Sequence, residues 1–598
     1  MKRRLLYLTG FYLSTVVIFL MAKVMFMYCY RADYPFSFAD VYDVVAHGLG
    51  LDLSTSLYLL IIPFLLTVAS MWLRIPHAVF KCFYAFIAVV LSLAFVADTS
   101  LYEFWHFKLD ASCLQYLETP TEAMASVTTG YLLFRLVIFV LIAFAIYQVY
   151  ARQTPSAYQG SWGEGLLYLL LIPLIVIGIR GGLSESTTNI GQVYFSQNQF
   201  LNHSAVNPVF SFLSSIGKSG NNIVSYDYYT EEECRELTDS LFDTRSIQTD
   251  TLLRVRRPNV VIILMESCGG QFTKLGGHPE ITPRLNQLAE EGVYFTQCYA
   301  NSWRTDKGTV SVLSGYPALP ITSVMKLPEK SRKLPAIASS LSQEGYATGF
   351  FYGGDINFTN MRSYVLGTGY GQLRWKADYT ADEQRSAQWG VRDDIMFQSL
   401  FDDIQAEQHH HWMKTMLTLS SHEPWDVPTH QLEDPVYNAF NYLDGCVGQF
   451  VDRLKQTPLW EDLLVIILPD HGYRYQGVDE TTPIYNHIPM IWVGGAIKEP
   501  RHVDAYCNQS DLAATLLGQM GIDHSAYTFS RDVLGSNYSR PFAWHTYNNG
   551  VSLFDPTGFM AYDLDVEQTI ASAGPDKNRQ LRLAQALLQV ISHDLIAK

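Results

Sequence analysis

The sequence predicts a five-helix transmembrane domain followed by an α/β domain with a mostly parallel sheet. Three observations predict it. The first 180 of 598 residues hold five long apolar stretches. From Asn259 to Met520, strand-like hydrophobic runs alternate with helical patterns. Charge is also divided unevenly, with 11 basic and 10 acidic side chains in residues 1–180 against 31 and 47 in the rest. The net charge of -15 therefore belongs to the second part. A chain this acidic does not track nucleic acid by its bulk charge, because nonspecific affinity there comes from neutralising phosphates.

The apolar stretches run roughly from Leu5 to Tyr28, Leu49 to Leu73, Val79 to Ala97, Leu132 to Tyr150 and Leu166 to Ile179. A helix needs about 20 apolar residues to cross about 30 Å of hydrocarbon. The first four meet or approach that length, whereas the fifth has 14 uninterrupted apolar residues and nears it by including Trp162 and an interfacial Glu164. Five such runs ahead of one polar block fit a membrane anchor far better than the core of a large soluble protein. The first run lacks a small-residue cleavage site, so it is expected to stay as a span.

Basic residues set the orientation. Lys2, Arg3 and Arg4 hold the N-terminus in the cytoplasm, and the loops carrying Arg74 with Lys81, and Arg152, fall on the same side. The opposite loops carry Arg31 and Lys108 among Asp33, Asp40, Asp43, Asp98, Glu103, Asp110, Glu118 and Glu122. An odd number of spans exports everything after Ile179, which predicts that the soluble domain faces the periplasm or the cell exterior. Lys23 and Arg135 lie near the ends of apolar runs and are expected to snorkel.

Residues 181–257, rich in Ser, Asn, Thr and Gln with a short helical run at Tyr229 to Phe242, read as a connector between the membrane domain of 1–180 and the exported domain of 258–598. Among eight cysteines there is no C-x-x-C pair. One bridge is allowed among the exported Cys234, Cys268, Cys298, Cys446 and Cys507, and spacing does not choose it.

The run Asn259 to Glu266 suits a strand covered on both faces, and Met416 to His422 and Leu463 to Gly472 repeat the pattern. Helical patterns fall at about Thr282 to Glu291, Leu334 to Glu344, Val436 to Lys455 and Ser510 to Met520. In such sheets chemistry sits beyond the carboxyl ends of the strands, where Glu266, His422, Asp470 and His471 stand. Singly, Glu266 fits a helix cap, Asp470 a turn and His471 a satisfied polar side chain. Together they supply the carboxylate and imidazole donors that suit Zn or Mn.

Glu266-Ser267 after a strand, Trp303 to Gly308 (Trp-Arg-Thr-Asp-Lys-Gly), Ser421-His422-Glu423-Pro424-Trp425 and Pro469-Asp470-His471-Gly472 resemble the lipoteichoic acid synthase and phosphoglycerol transferase family of the alkaline phosphatase and sulfatase superfamily. The resemblance implies an alkaline phosphatase/sulfatase-like fold and one divalent metal ion, Mn or Zn, held by Glu266, Thr305, Asp470 and His471. It further implies Thr305 as the nucleophile and His422 as the histidine near the leaving or accepting oxygen. Phe351 to Arg362 corresponds to the region where Gram-positive synthases place a Trp and an Arg for glycerol phosphate, and this chain departs from that pattern. No Cys-x-Pro-x-Arg sulfatase signature occurs, which argues against sulfate-ester hydrolysis.

A threonine hydroxyl is a poor nucleophile until a metal stabilises its charge. Thr309, on the same loop, is the competing nucleophile. Arg304 and Lys307 are expected to offset phosphate charge, and His487 to assist the phosphate or hold a second metal. The expected donor is phosphatidylglycerol or a related phospholipid, and the acceptor an envelope glycan or glycolipid. Phosphoethanolamine transfer is the enzymatic alternative, with Asp355 pairing the donor ammonium. A catalytically silent, lipid-sensing membrane protein is the alternative from another class.

Overall fold

The structure, a computed structural model, describes residues 2–105, 108–109, 111, 113–114, 129–153, 162–184, 186–196, 198–218, 223–242, 248–478, 481–547, 550–564 and 567–598. Asp110, Glu118 and Glu122 of the outer-loop reading lie outside them. The chain divides into two compact units, Met1–Asn222 and Ile223–Lys598.

Among the described residues of the first unit, five helical segments are long and apolar enough to cross a membrane. They are α1 (Lys2–Cys29), α2 (Phe38–Ala69), α3 (His77–Trp105), α4 (Thr129–Ala151), and the pair α5 (Trp162–Leu169) with α6 (Ile172–Arg180). The fifth span is broken because Pro173 enters in the first turn of α6, where it has no N–H for the preceding turn. α2 starts eleven residues before the apolar run, since Ser37 caps it: its hydroxyl accepts from Asp40 N–H while Asp40 reaches back to Ser37 N–H.

That extension places Asp52 inside the bundle. Lys23 does not snorkel. Its Nζ lies 2.5 Å from Asp52 Oδ2 and donates to Gly48 O at 2.9 Å, with both side chains buried. A charge that far from water is held by a partner rather than by reaching the interface. The segment after α6 packs back on these helices through α7 (Gln199–Ala205) and α8 (Pro208–Lys218), and Asn207 Nδ2 donates to the other Asp52 oxygen at 2.8 Å.

The second unit carries a nine-stranded sheet among the described residues: β1 (Asn259–Met265), β2 (Val293–Tyr299), β3 (Ala347–Tyr352), β4 (Gln372–Trp375), β5 (Trp412–Leu417), β6 (Leu463–Pro469), β7 (His487–Val493), β8 (Arg501–Val503) and β9 (Cys507–Asn508). Their order is β4-β3-β5-β1-β6-β7-β2-β8, with β9 beside β2. β4 through β6 are mutually parallel, and β7 is antiparallel to both neighbours. Every residue of β1 and β6 is buried, as their unbroken apolar runs require.

Helices cover both faces: α9 (Glu231–Thr238), α10 (Pro283–Glu291), α11 (Thr305–Ser314), α12 (Ile337–Gln343), α13 (Asp393–Ala406), α14 (Pro435–Lys455), α15 (Leu512–Met520) and α16 (Lys577–Ala597). A four-stranded antiparallel sheet follows, β10 (Ala543–Tyr547), β11 (Gly550–Asp555), β12 (Gly558–Asp563) and β13 (Gln568–Ala573). One expectation shifts. The strand read at Met416 to His422 is β5, which begins at Trp412 and ends at Leu417. Lys414 disguised it, because its buried ammonium is paired with Asp403 at 2.8 Å and Glu407 at 2.7 Å.

Candidate active site

β1 and β6 are parallel neighbours with Met265 opposite Pro469, so the next residues, Glu266 and Asp470, emerge side by side. His471 follows. Ligand atoms of Glu266, Asp470 and His471 lie within 4.8 Å of one another, and all three residues are buried. Asp470 Oδ1 accepts from Ser267 N–H at 2.9 Å and His471 N–H at 2.7 Å. Oδ2 is buried with no hydrogen-bond donor, 3.5 Å from His471 Nε2. His471 Nδ1 donates to Gly472 O at 2.6 Å, which fixes the tautomer and leaves Nε2 with its lone pair facing the carboxylates.

Burial, reinforced by Glu266, pushes the Asp470 carboxyl up to about 7. Burial alone would lower His471, but Asp470 and Glu266 outweigh it and raise the imidazole. Without an ion the raised imidazole is the positive charge facing the two buried carboxylates, and a divalent cation would take over that role. The orphaned Oδ2, the free Nε2 and the O, O, N donor set all fit such an ion.

Thr305 opens α11, with Arg304 at the N-cap. Its Oγ1 donates to Glu266 Oε2 at 3.2 Å and lies 3.4 Å from His471 Nε2. Asp306 is buried beside it, with Arg304 Nε 4.0 Å and Lys326 Nζ 3.5 Å from its carboxylate. The structure thus gathers Glu266, Thr305, Asp470 and His471. Thr309 sits one turn further along α11, fully buried.

His422 lies on the loop after β5. Ser421 Oγ donates to Glu266 O at 2.7 Å, so the residue before His422 is tied to the metal-site glutamate. His422 Nδ1 donates to Glu423 O at 3.1 Å, and Trp389 Nε1 donates to the same carbonyl at 2.5 Å while its ring packs on the imidazole with centroids 4.7 Å apart.

Other expected residues are placed differently. Lys307 donates to the carbonyls of Leu319 and Pro320, and burial lowers its amine to about 8. His487 Nε2 donates to Thr296 O at 2.7 Å and its ring stacks on Tyr299. It is not part of the cluster, and the described residues contain one such metal-capable group. Arg304 is half exposed over Trp303. Asp355 lies beyond β3, where Oδ1 accepts from Asn357 N and Nδ2, both at 3.0 Å.

Sequence reasoning missed the supports. Ser267 Oγ donates to Glu266 Oε1 at 2.7 Å, Thr418 Oγ1 accepts from Glu266 N–H at 2.9 Å, and Gln509 Nε2 donates to both Asp470 O and Gly308 O. His545, on β10, donates from Nδ1 to Ala300 O, and burial pushes it down to about 3. The hydroxyls adjoining Glu266 and His422 were a signal of sorts; Gln509 and His545 carry none.

A family model for sulfatases matches residues 258–522. These residues belong to the sulfatase and alkaline phosphatase superfamily. Within it, the chain is 23% identical to "Lipoteichoic acid synthase 2" of Bacillus subtilis (strain 168), over 47% of this chain and 48% of that one. It is 23% identical to "Phosphoglycerol transferase I" of Xanthomonas campestris pv. campestris, over 47% and 43%. The chain spans about half the length of the curated relatives it matches. A crystal structure of an alkaline phosphatase superfamily protein from Vibrio parahaemolyticus shares 27% identity and superposes with a TM-score of 0.54 over 62% of this chain and 98% of that one. The lipoteichoic acid synthase LtaP from Listeria monocytogenes shares the fold at 17% identity, TM-score 0.50, over 61% and 98%.

The chain is therefore a multi-pass inner-membrane protein with an extracytoplasmic, metal-associated, sulfatase-like catalytic domain related to the lipoteichoic acid synthases and phosphoglycerol transferases.

Proposed function

We propose that the protein transfers a phosphoglycerol group from phosphatidylglycerol to an envelope glycan or glycolipid through a covalent intermediate on Thr305. The observation that carries the reading is the Thr305 hydroxyl, 3.2 Å from Glu266 Oε2 and 3.4 Å from His471 Nε2, at the first position of a ten-residue helix. A helix N-terminus presents N–H groups and positive dipole to a phosphoryl group. A divalent ion, Mn or Zn, held by Glu266, Asp470 and His471 supplies charge that lowers the cost of negative charge on the threonine and phosphoryl oxygens.

Thr305 Oγ1 passes its proton to Glu266 Oε2, to which it already donates, and forms the Oγ1–P bond as the bond from phosphorus to the diacylglycerol oxygen breaks. His422 Nε2 gives that oxygen its proton. In the second half His422 takes the proton of an acceptor hydroxyl, whose oxygen attacks phosphorus and releases Thr305, and Glu266 returns the first proton to Oγ1. The described residues beside His422 include Gln388, Trp389, Ser420, Glu423 and Asp426 and, among those lining this small hollow, no lysine or arginine, which favours a neutral sugar hydroxyl over a second anionic lipid.

Phosphoethanolamine is the second reading, and it calls for Asp355 or another carboxylate beside the ammonium. Asp355 already lies within Coulombic reach of Arg362, which favours uncharged glycerol. The test is mass spectrometry of the full-length protein in phosphatidylglycerol vesicles: a phosphoglycerol-bearing Thr305 peptide is expected, together with released diacylglycerol. An adduct from phosphatidylethanolamine alone would install the second reading, and no adduct from either lipid would favour a silent protein.

A further inference from the structure

Five cysteines are exported, and Cys298 and Cys507 stand apart from the rest. Cys298 is on β2 and Cys507 on β9, and in the parallel ladder between these strands they are direct Cα partners, followed by Tyr299 opposite Asn508. Among the described residues this is the one pair of strand partners that are both cysteine. Both side chains are fully buried, and the Cys507 thiol lies close enough to act on the Cys298 thiol. Neighbouring strands lie about 4.8 Å apart, inside the Cα separation of about 4.4–6.8 Å that a disulfide spans. Cys234 is on α9 and Cys446 on α14, and Cys268 follows β1.

We propose that Cys298 and Cys507 are joined by a disulfide in the mature protein, formed on the outer side of the membrane. The pair lies in the half of the chain that is extracytoplasmic, where thiols meet oxidants and not the reducing pool of the cytoplasm. The co-reactant is an envelope protein disulfide. The Cys507 thiolate attacks one of its sulfurs, which forms a mixed disulfide and releases one thiolate. The Cys298 thiolate then attacks the Cys507 sulfur, closing the Cys298–Cys507 bond and releasing the second thiolate. Two thiol protons and two electrons leave the pair, and the oxidant becomes a dithiol. Because both thiols are buried in the finished sheet, the exchange takes place before β9 docks on β2.

The bridge has a mechanical consequence for the site. β9 is the short strand that leads directly into Asn508, Gln509 and Asp511. Asn508 Nδ2 donates to Tyr299 O at 3.0 Å and Trp544 O at 2.8 Å. Gln509 Nε2 donates to Asp470 O at 2.9 Å and Gly308 O at 3.1 Å. Asp511 makes a paired contact with Arg531, with Nε to Oδ1 at 3.0 Å and Nη2 to Oδ2 at 2.5 Å. Two residues of ladder are little to hold so many bonds in register. A covalent link from Cys507 to the longer β2 ties the Gln509 bridge between the metal strand and the nucleophile helix to the body of the sheet.

The inference is independent of which phospholipid headgroup is transferred and rests only on the extracytoplasmic placement. Its test uses the wild-type full chain, purified from bacterial membranes without reductant and with free thiols alkylated under denaturing conditions at lysis. Peptide mapping is expected to show Cys298 and Cys507 in one linked peptide pair, while Cys234, Cys268 and Cys446 carry the alkyl group. Alkyl label on both Cys298 and Cys507 in most molecules would overturn the proposal, as would a link to any other cysteine. A second measurement compares Tm with and without a membrane-permeant reductant: the wild type is expected to fall by several degrees, and Cys298→Ala/Cys507→Ala to show no change. A wild-type Tm unmoved by a reductant shown to cleave the linked peptide would overturn the stabilising role.

Discussion

Gly308 and Asp470 touch backbone to backbone: a Cβ at 308 would lie 2.0 Å from the Asp470 carbonyl oxygen. Helix α11 can therefore approach strand β6 only because residue 308 has no side chain, and Gln509 bonds both carbonyls to hold them there. Gly308→Ala must push α11 away from the sheet by a fraction of the ångström scale on which catalysis is sensitive. We expect a loss of about 1–3 kcal/mol in stability and about 100-fold in turnover, with metal content retained because Glu266, Asp470 and His471 are intact. Parallel metal analysis and kinetics check it, and wild-type turnover would refute the close-contact argument.

Metal removal should be felt in folding as well as in rate. A ligand that binds only the folded state adds about 2.7 kcal/mol at a concentration 100 times its Kd. A chelator is expected to lower the Tm of the full chain by several degrees. Asp470→Asn, which deletes one ligand charge at the buried Oδ2, should hold little metal, show no chelator-dependent Tm shift and be inactive. Calorimetry with elemental analysis reads all three, and equal metal content in Asp470→Asn and wild type would refute the site.

β1 and β6 were legible because each is an unbroken apolar run ending in a carboxylate, which marks Glu266, Asp470 and His471 as strand-end residues from sequence alone. The ends of β5 were not, because Lys414 reads as a surface residue in one dimension and is buried in three. Its partner Glu407 shows what that costs and returns. Burial alone would raise Glu407, but the Lys414 ammonium and His409 hold it down to about 2. A depressed carboxyl contributes stability above its unfolded range near 4.5 that is lost as pH falls toward 2. Lys414→Met is expected to shrink the acid-unfolding slope across that window, followed by tryptophan fluorescence. Gln509 was likewise invisible, since its bonds to Asp470 and Gly308 reach residues far apart in sequence.

Lys23 carries a comparable lesson inside the membrane unit. Removing one partner of a buried pair leaves the other charge uncompensated, which costs about 3–5 kcal/mol, whereas replacing both by apolar groups is often neutral. Lys23→Met should therefore sharply lower the thermal stability of the detergent-solubilised chain, because Asp52 would lose its ion-pair partner and keep the Asn207 hydrogen bond and the more distant charge of Lys108. Lys23→Met/Asp52→Leu should recover most of the loss. A double variant no better than the single one would show that the pair is not what the substitution disturbs.

The choice of hydroxyl is the sharpest test of mechanism. Thr305 Oγ1 reaches Glu266 and His471, while Thr309 is fully buried and its Oγ1 has no hydrogen-bond partner. Thr305→Ala removes the attacking oxygen but none of the three charged ligands, so it should keep much of its metal, bind phosphatidylglycerol and form no covalent adduct. Thr305→Ser keeps an oxygen on the same Cβ and should retain measurable turnover, since only the methyl that fixes its rotamer is gone. Thr309→Ala deletes a buried hydroxyl that pairs with nothing, so its stability should change by no more than about 1 kcal/mol and its adduct should persist. Peptide mapping after brief exposure to donor vesicles separates the cases: phosphoglycerol on Thr309, or wild-type turnover by Thr305→Ala, would move the nucleophile off the first residue of α11 and with it the reason that helix must sit so close to Asp470.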